Sequence, residues 1–331
     1  MHGRQNALKL AGVTFLGSYL TRRLALAVPT VFGVVLAVFL LIRLVPGDVV
    51  TQLVGLEATI SPKRVDELRR LFGLDRPLPV QFAEYLGGVA QGDLGKSLRT
   101  GLPVGRELLR RFPVTIELAA LGLLVALCVG VPVGVLAAVR RGRAADYLAT
   151  GFVMVGLSIP SFWLAILLIL FFALRLGVLP PTAYIAPREN LIGNLLHMIL
   201  PALSVGFVLA AAITRIVRSS LLEVLNRHYV RTARAKGLAE GRVILHHAMR
   251  NALIPVVTLA GLQIPALLAG AVITEQVFEW PGMGRLTIEA INQRDYPVLM
   301  GITIVTAVLV TVGNLLADVT YSLVDPRIRY E

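Results

Sequence analysis

Cysteine is almost absent from this chain: Cys128 is the only one in 331 residues, which excludes an intrachain disulfide and a thiolate-built zinc cluster. Set in an apolar run, it reads as a packing residue and not as a nucleophile. Charge is scarce too. Charged residues make up 16% of the chain, against roughly a quarter in soluble proteins. Hydrophobic residues make up 56%, and the mean hydropathy is +0.75. Such a composition excludes disorder and points to lipid, not to two soluble domains. The little charge present leans one way, with 32 basic against 20 acidic residues and a net of +12.

Six stretches contain no Asp, Glu, Lys or Arg over 19 to 28 residues: Leu24 to Ile42, Leu118 to Val139, Tyr147 to Leu174, Leu191 to Thr214, Asn251 to Thr274 and Tyr296 to Ala317. A helix needs about 20 apolar residues to cross the hydrocarbon layer. Helices satisfy their own backbone hydrogen bonds, so the expected fold class is an all-α polytopic membrane protein with six transmembrane helices. The first run follows Arg22 and Arg23 as a signal peptide would, but it is too long and lacks a small-residue cleavage site, so it is read as a span. The shorter Leu8 to Leu20 segment reads as interfacial.

Six spans place both ends on one side, and that side collects seventeen basic residues, eight of them between Arg215 and Arg250. The two short opposite connections hold only Arg175, Arg188, Arg285 and Arg294. The positive-inside rule then places both termini in the cytoplasm, and the basic balance serves topology, not nucleic acid. Pro46 to Pro113 is an external exception, since long loops cross largely regardless of charge. Ser61 caps an expected helix there, with Pro62 at its first position, Val65, Leu68 and Phe72 on one face and Gly73 at its end. Further short helices are expected at Val80 to Leu86 and Val104 to Phe112. The organisation is therefore an N-terminal segment (1–23), a first span (24–45), an external helical subdomain (46–113), a five-helix core (114–325) with a cytoplasmic loop (215–250), and a tail (326–331).

Enzymatic motifs fail on inspection. Gly95-Lys96-Ser97 imitates the end of a phosphate loop, but Ala90 stands where its first glycine belongs and no strand precedes it. His246 and His247 are adjacent, off the i, i+4 spacing of a zinc helix. Gly156-Leu-Ser158-Ile-Pro160 lacks the last glycine of a nucleophile elbow. No catalytic, cofactor or metal site is expected.

Within the spans, Gly130 and Gly134 are one turn apart and suit close helix packing. Pro160 and Pro265 each remove a backbone donor and predict kinks. Ser158 and Ser161 flank Pro160, Gln263 sits in the fifth span, and Asn314, Asp318 and Tyr321 share a face of the sixth. Polar groups at this depth line a water-filled route or bond helix to helix. Ser158, Ser161, Gln263 and Asn314 are the candidate pathway residues.

In the longest basic loop, Tyr229 to Lys236 reads as a short alanine-rich helix stopped by Gly237. It suits either a partner's groove or an anionic lipid surface. Tyr229-Val-Arg-Thr-Ala-Arg-Ala-Lys-Gly237, followed by Arg250-Asn-Ala-Leu-Ile-Pro255, resembles the cytoplasmic EAA loop of ABC importer membrane subunits in the dipeptide, oligopeptide and nickel branch. The likeness extends to Pro46-Gly-Asp48, Gly92-Asp-Leu-Gly95 with Ser97, Ser158-Ile-Pro-Ser-Phe-Trp163, Glu279-Trp-Pro-Gly-Met-Gly284 and Asp325-Pro-Arg327. The large loop after the first span is similar to that of the B-type subunit. Arg231-Thr232-Ala233 stand where the general pattern has Glu-Ala-Ala, and Pro255 lies farther from Gly237 than usual; both departures resemble the peptide branch.

The resemblance implies a type I permease fold in a bacterial or archaeal inner membrane. It implies a C-type permease, two cytoplasmic ATPase subunits or one fused ATPase, and an extracytoplasmic binding protein as partners. ATP and Mg would be bound by the ATPases and no cofactor by this chain, whose Arg231, Thr232, Ala233, Arg234, Ala235, Lys236 and Gly237 would couple to them. The cargo would be a di- or oligopeptide or a related small solute. The competing class is a secondary transporter driven by an ion gradient, for which inverted repeats and midplane ionisable groups are expected.

Overall fold

The structure, a computed structural model, describes Arg23, residues 25–44, Arg70 and residues 75–324, without the side chains of 264–266, 268–271 and 316–324. The expected helix at Ser61 to Gly73, the Leu8 to Leu20 segment, Pro46-Gly-Asp48, the tail from Asp325, and the side chains of Pro265, Asp318 and Tyr321 lie outside that description. Among the described residues the secondary structure is helical apart from one isolated bridge, Lys96 to Pro103. Four helices are long and apolar enough to cross a membrane, and six spans result if each of two bent pairs counts as one.

The chain divides into two compact units, residues 1–112 with 286–311 and residues 113–285 with 312–331. In the first unit, α1 (Ala25–Leu44) buries Val35, Phe39 and Ile42 against Met300 and the partly buried Phe82 and Tyr85. Phe82 belongs to α2 (Leu78–Ala90), which starts at Pro77 with a second proline at Pro79, where a missing N–H costs nothing. The Phe39 and Phe82 rings lie 4.9 Å apart. Arg43 sits 3.5 Å over Phe39 and donates to Gln81 Oε1 at 2.6 Å, so this cation is held by a ring and an amide.

The loop after α2 is pinned by Asp295. Ser97 Oγ donates to the Asp295 carboxylate, and the Arg99 and Thr100 amides donate to Ser97 Oγ at 3.2 and 3.0 Å. Gly92 and Gly95 take φ of 81° and 83°, left-handed geometry that glycine adopts without strain. The Gly-Asp-Leu-Gly segment is thus a turn that delivers a buried serine to an aspartate, not a phosphate cradle.

Helix α3 (Val104–Val139) runs 36 residues through Pro113 and Pro132. The short external helix expected at Val104 to Phe112 is therefore the first part of one continuous helix. Pro113 removes a single bond, and buried side chains anchor the turns around it, Val104 and Leu108 before and Leu118 after.

In the second unit, α6 (Leu191–Leu225) is the central element, capped by Asn190, whose side chain accepts from the Gly193 amide. α3 crosses it at van der Waals closeness. A Cβ on Gly130 would lie 2.7 Å from the Ala210 carbonyl, one on Gly134 2.7 Å from Val217 Cβ, and one on Gly206 2.6 Å from the Gly122 carbonyl. Thr214 Oγ1 adds a bond to the Gly130 carbonyl at 3.2 Å. Small residues on both partners let the backbones touch.

The third apolar run is broken sharply at Pro160, as the missing donor there predicts. α4 (Ala144–Ser158) and α5 (Ser161–Leu168, continued by a π-helical turn at Ile169–Arg175) meet at 106°. Pro160 has no donor and disfavours helical geometry at the preceding residue. Ile159 (φ −83°, ψ 124°) and Pro160 (φ −61°, ψ 136°) are accordingly both extended, and two such residues turn the chain sharply.

After α6 come α7 (His228–Ala235), α8 (Glu240–Ala252, with a π-helical middle), α9 (Ile254–Val277), α10 (Met283–Gln293) and α11 (Tyr296–Val324). α8 meets α9 at 46°.

Candidate functional site

Two features of the second unit gather candidate residues: the short basic helix α7 and a cavity beside the Pro160 break.

α7 is amphipathic in a compact way. Val230 and Ala233, three residues apart, share its inner face and pack with Leu221 and Val224 of α6 and Val243, Ala248 and Ala252 of α8. Arg231, Thr232, Arg234, Ala235, Lys236 and Gly237 are exposed. Both alanines were expected to meet a partner; the structure turns Ala233, 6% exposed, into the chain's own core and leaves Ala235 outside. The reason is the helical period, which puts Ala233 on the Val230 face and Ala235 about 200° away.

Lys236 ends the helix and Gly237 follows at φ +76°, with nothing within 4 Å of where a Cβ would stand. A side chain there would meet open space but a strained backbone. Arg234 forms a fork to Glu240, with nitrogen to oxygen distances of 2.6 and 3.1 Å, and that carboxylate raises the guanidinium pKa further. Asn251 Nδ2 donates to Tyr229 Oη at 2.7 Å, fixing the tyrosine at the start of α7. The helix is thus an exposed, rigidly seated platform.

The cavity has a volume of about 470 Å³ and is walled by Leu157, Ile159, Pro160 and Ser161 at the break, by Val205, Val208, Leu209 and Ala212 of α6, and by Gln263, Leu267 and Thr274 of α9. Ser161 and Gln263 are therefore brought to one space. Ser158 is exposed between the lining residues Leu157 and Ile159 without lining the cavity itself, and Asn314 is exposed on α11 and does not line it. Thr274 is the residue that sequence reading missed. It is wholly buried, and its hydroxyl has no hydrogen-bond partner, a condition that costs about 1–3 kcal/mol for a neutral group.

Two buried carboxyl groups with partners far away in the chain were also missed. Asp146, at the start of α4, accepts from Arg218 Nε at 2.6 Å, from Arg218 Nη2 at 3.0 Å and from the Gly142 amide at 2.9 Å. Glu275, fully buried in α9, accepts from Thr115 Oγ1 at 2.6 Å and from the Arg285 amide at 3.0 Å, while the Met283 amide donates to Thr115 Oγ1 at 2.8 Å. The glycines of the Trp280-Pro-Gly-Met-Gly284 turn make room for this. A Cβ on Gly282 would fall 2.3 Å from the Glu275 carboxylate, and one on Gly284 2.4 Å from Val272 Cα. Among the described residues no group of three or more His, Cys, Asp or Glu could hold a metal ion.

The comparisons agree with this architecture. Residues 130–330 match the family model described as the binding-protein-dependent transport system inner membrane component, and residues 16–119 match that of the N-terminal part of such components. The chain is 42% identical over 336 residues to the dipeptide transport system permease protein DppB of Escherichia coli K12, covering 95% of this chain and 99% of that one. It is 44% identical to the di/tripeptide permease protein DppB of Pseudomonas aeruginosa and 40% identical to the oligopeptide permease protein AppB of Bacillus subtilis, each over 95% of this chain. Among solved structures, the inward-facing MetNI methionine ABC transporter shares the fold, with a TM-score of 0.52 at 21% identity over 66% of this chain and 96% of that one. Membership of a binding-protein-dependent family sets aside the ion-driven secondary transporter. With its apolar helices, its exposed loop helix and a family match over most of its length, the chain belongs to the inner-membrane components of binding-protein-dependent transport systems, as a permease subunit of an ABC importer.

Proposed function

We propose that the chain is the B-type permease of a peptide importer and that α7 is its docking helix for a cytoplasmic ATPase. The observation that carries the peptide assignment is the likeness, at 42% and 44% identity over nearly the whole chain, to permeases named for dipeptides and di/tripeptides. A second, C-type permease completes the pathway. Two ATPase subunits, or one fused ATPase, bind ATP and Mg, and an extracytoplasmic binding protein delivers the peptide. Both termini and residues 215–250 face the cytoplasm, consistent with the arginine excess there.

Coupling follows from differential binding. ATP favours one arrangement of the ATPases, and a helix seated in their groove carries that bias into the spans. The exposed Arg231, Thr232, Arg234, Ala235, Lys236 and Gly237 form the contact, and Ala233 seats the helix on α6 and α8. No bond of the cargo is broken by this chain.

Reconstitution of the five-component complex tests this reading. Uptake of radiolabelled dialanine should require ATP and the binding protein. Uptake that follows an imposed proton gradient without ATP would refute it.

A further inference from the structure

We propose that the cavity beside Pro160 is a station for the cargo in transit, and that it holds the cargo by its amide backbone, indifferent to side-chain charge, through Thr274 and Gln263 in turn. This deepens the peptide-importer reading and rests on it.

The first argument is the state of Thr274. A helical threonine ordinarily bonds the carbonyl four residues back, and Thr30, Thr150, Thr232, Thr303 and Thr311 all do so at 2.8 to 3.1 Å. Thr274 does not. Its hydroxyl is buried and unpartnered, and the residue lines the cavity. A hydroxyl both donates and accepts, which suits the N–H and C=O groups of a peptide.

The second argument is the character of the wall. Its polar members are Ser161, Gln263 and Thr274, all neutral, and no charged residue lines it among the described residues. The nearest carboxylate in sequence, Glu275, is engaged by Thr115 and by the Arg285 amide, and it is not part of the lining. A fixed charge in such an apolar-walled space would trap peptides of opposite sign and repel those of like sign. Neutral groups that donate and accept do neither, and a carrier must release what it binds.

The third argument is spacing. Gln263 and Thr274 lie eleven residues apart on α9, about 16 Å along a helix axis, whereas two extended residues span about 7 Å. A dipeptide therefore touches one polar group and then the other.

The test uses the reconstituted complex with dialanine, dilysine and diglutamate as probes, each rate normalised to assembled complex and to the binding protein's measured affinity for that probe. Wild type should import dialanine in an ATP-dependent manner; failure at this step overturns the peptide reading and the cavity proposal with it, whereas wild-type import with unaltered variants overturns the cavity proposal alone. Thr274→Val keeps the shape and removes the hydroxyl. It should lower the maximal uptake rate of all three probes alike, by about three- to tenfold for one lost neutral hydrogen bond, and Thr274→Ser should restore it. Gln263→Glu adds a charge at nearly constant shape and should slow diglutamate relative to dilysine by at least about fivefold, from like-charge repulsion in an apolar-walled space. Wild-type rates in Thr274→Val, or an unchanged diglutamate to dilysine ratio in Gln263→Glu, would overturn the proposal.

Discussion

The Asp146 and Arg218 pair makes the most quantitative demand on the structure. The two partners are unequally exposed: the Asp146 side chain retains 7% of its surface and the Arg218 side chain 35%. Removing either one breaks the same two hydrogen bonds, yet the charge left behind differs. In Arg218→Ala a nearly buried carboxylate keeps the Gly142 amide and the more distant Arg141 charge, and breaking a buried pair from this side costs up to about 3–5 kcal/mol. In Asp146→Ala the stranded guanidinium reaches water along its exposed third, so the loss is nearer that of one charged hydrogen-bonded partner, about 1.5–3 kcal/mol.

The double variant strands nothing. Its cost should fall below that of Arg218→Ala alone and close to that of Asp146→Ala, so the coupling energy approaches the whole cost of Arg218→Ala, about 3–5 kcal/mol. The assay is SDS titration of the purified chain in mixed micelles, in a Trp163→Phe background so that the fluorescence is that of Trp280, which is 1% exposed in the same unit. The order expected is Arg218→Ala worst, then Asp146→Ala, with the double variant no worse than the second by more than a small margin. Additive losses, or an Asp146→Ala that exceeds Arg218→Ala, would show that the pair is not a buried fastener between α4 and α6.

Further outcomes follow from the same geometry. In reconstituted complexes Ala235→Trp, outward on α7, should separate ATP hydrolysis from uptake while the chain still inserts, and Gly237→Val should impair transport through backbone strain at φ +76°; normal coupled uptake in both would sink the docking reading. Ala233→Trp should instead lower the amount of folded chain, because that side chain is buried against α6 and α8. For topology, single cysteines in a Cys128→Ser background belong at exposed Thr100 and Asn226, since Ser97 is buried on Asp295; an impermeant maleimide should label Thr100→Cys and spare Asn226→Cys in intact cells, and the reverse would invert the orientation. Lys96→Ala should leave the ATPase rate of the full complex unchanged, and a loss would contradict the turn assigned to Gly92 through Ser97.

The apolar helices were legible because membrane insertion depends on composition along the chain, a one-dimensional signal. The α7 helix and its Gly237 stop were legible for a similar local reason, the helix propensity of alanine and the left-handed freedom of glycine. Ala233 was misread although its period was available: Val230 and Ala233 are the apolar pair at i, i+3 in an otherwise polar helix, and such a pair marks an inward face. Pro160 announced a distortion, but its size was set by Ile159 also becoming extended, which only the three-dimensional path reveals. The fasteners gave no local signal at all. Asp146 with Arg218, Thr115 with Glu275 and Ser97 with Asp295 join residues 72 to 198 apart, and each partner reads in isolation as an ordinary charge or hydroxyl at the end of an apolar run.

Those fasteners and the cavity divide polar chemistry between two tasks. Within the second unit, Asp146 and Glu275 each have their described oxygens engaged by donors from another segment, and engaged carboxylates make rigid joints at low dielectric. Among the described residues the cavity wall carries only neutral groups, and the Thr274 hydroxyl is buried without a partner. A passage built the other way, with loose carboxylates on its wall, would bind cationic cargo at the cost of passing anything else. Gly282 exists as glycine because the Glu275 carboxylate occupies the volume its side chain would fill. The turn glycines and the neutral described wall are thus two consequences of one arrangement: the carboxyl group beside Thr274 is engaged within the protein, and the Thr274 hydroxyl is left without a partner.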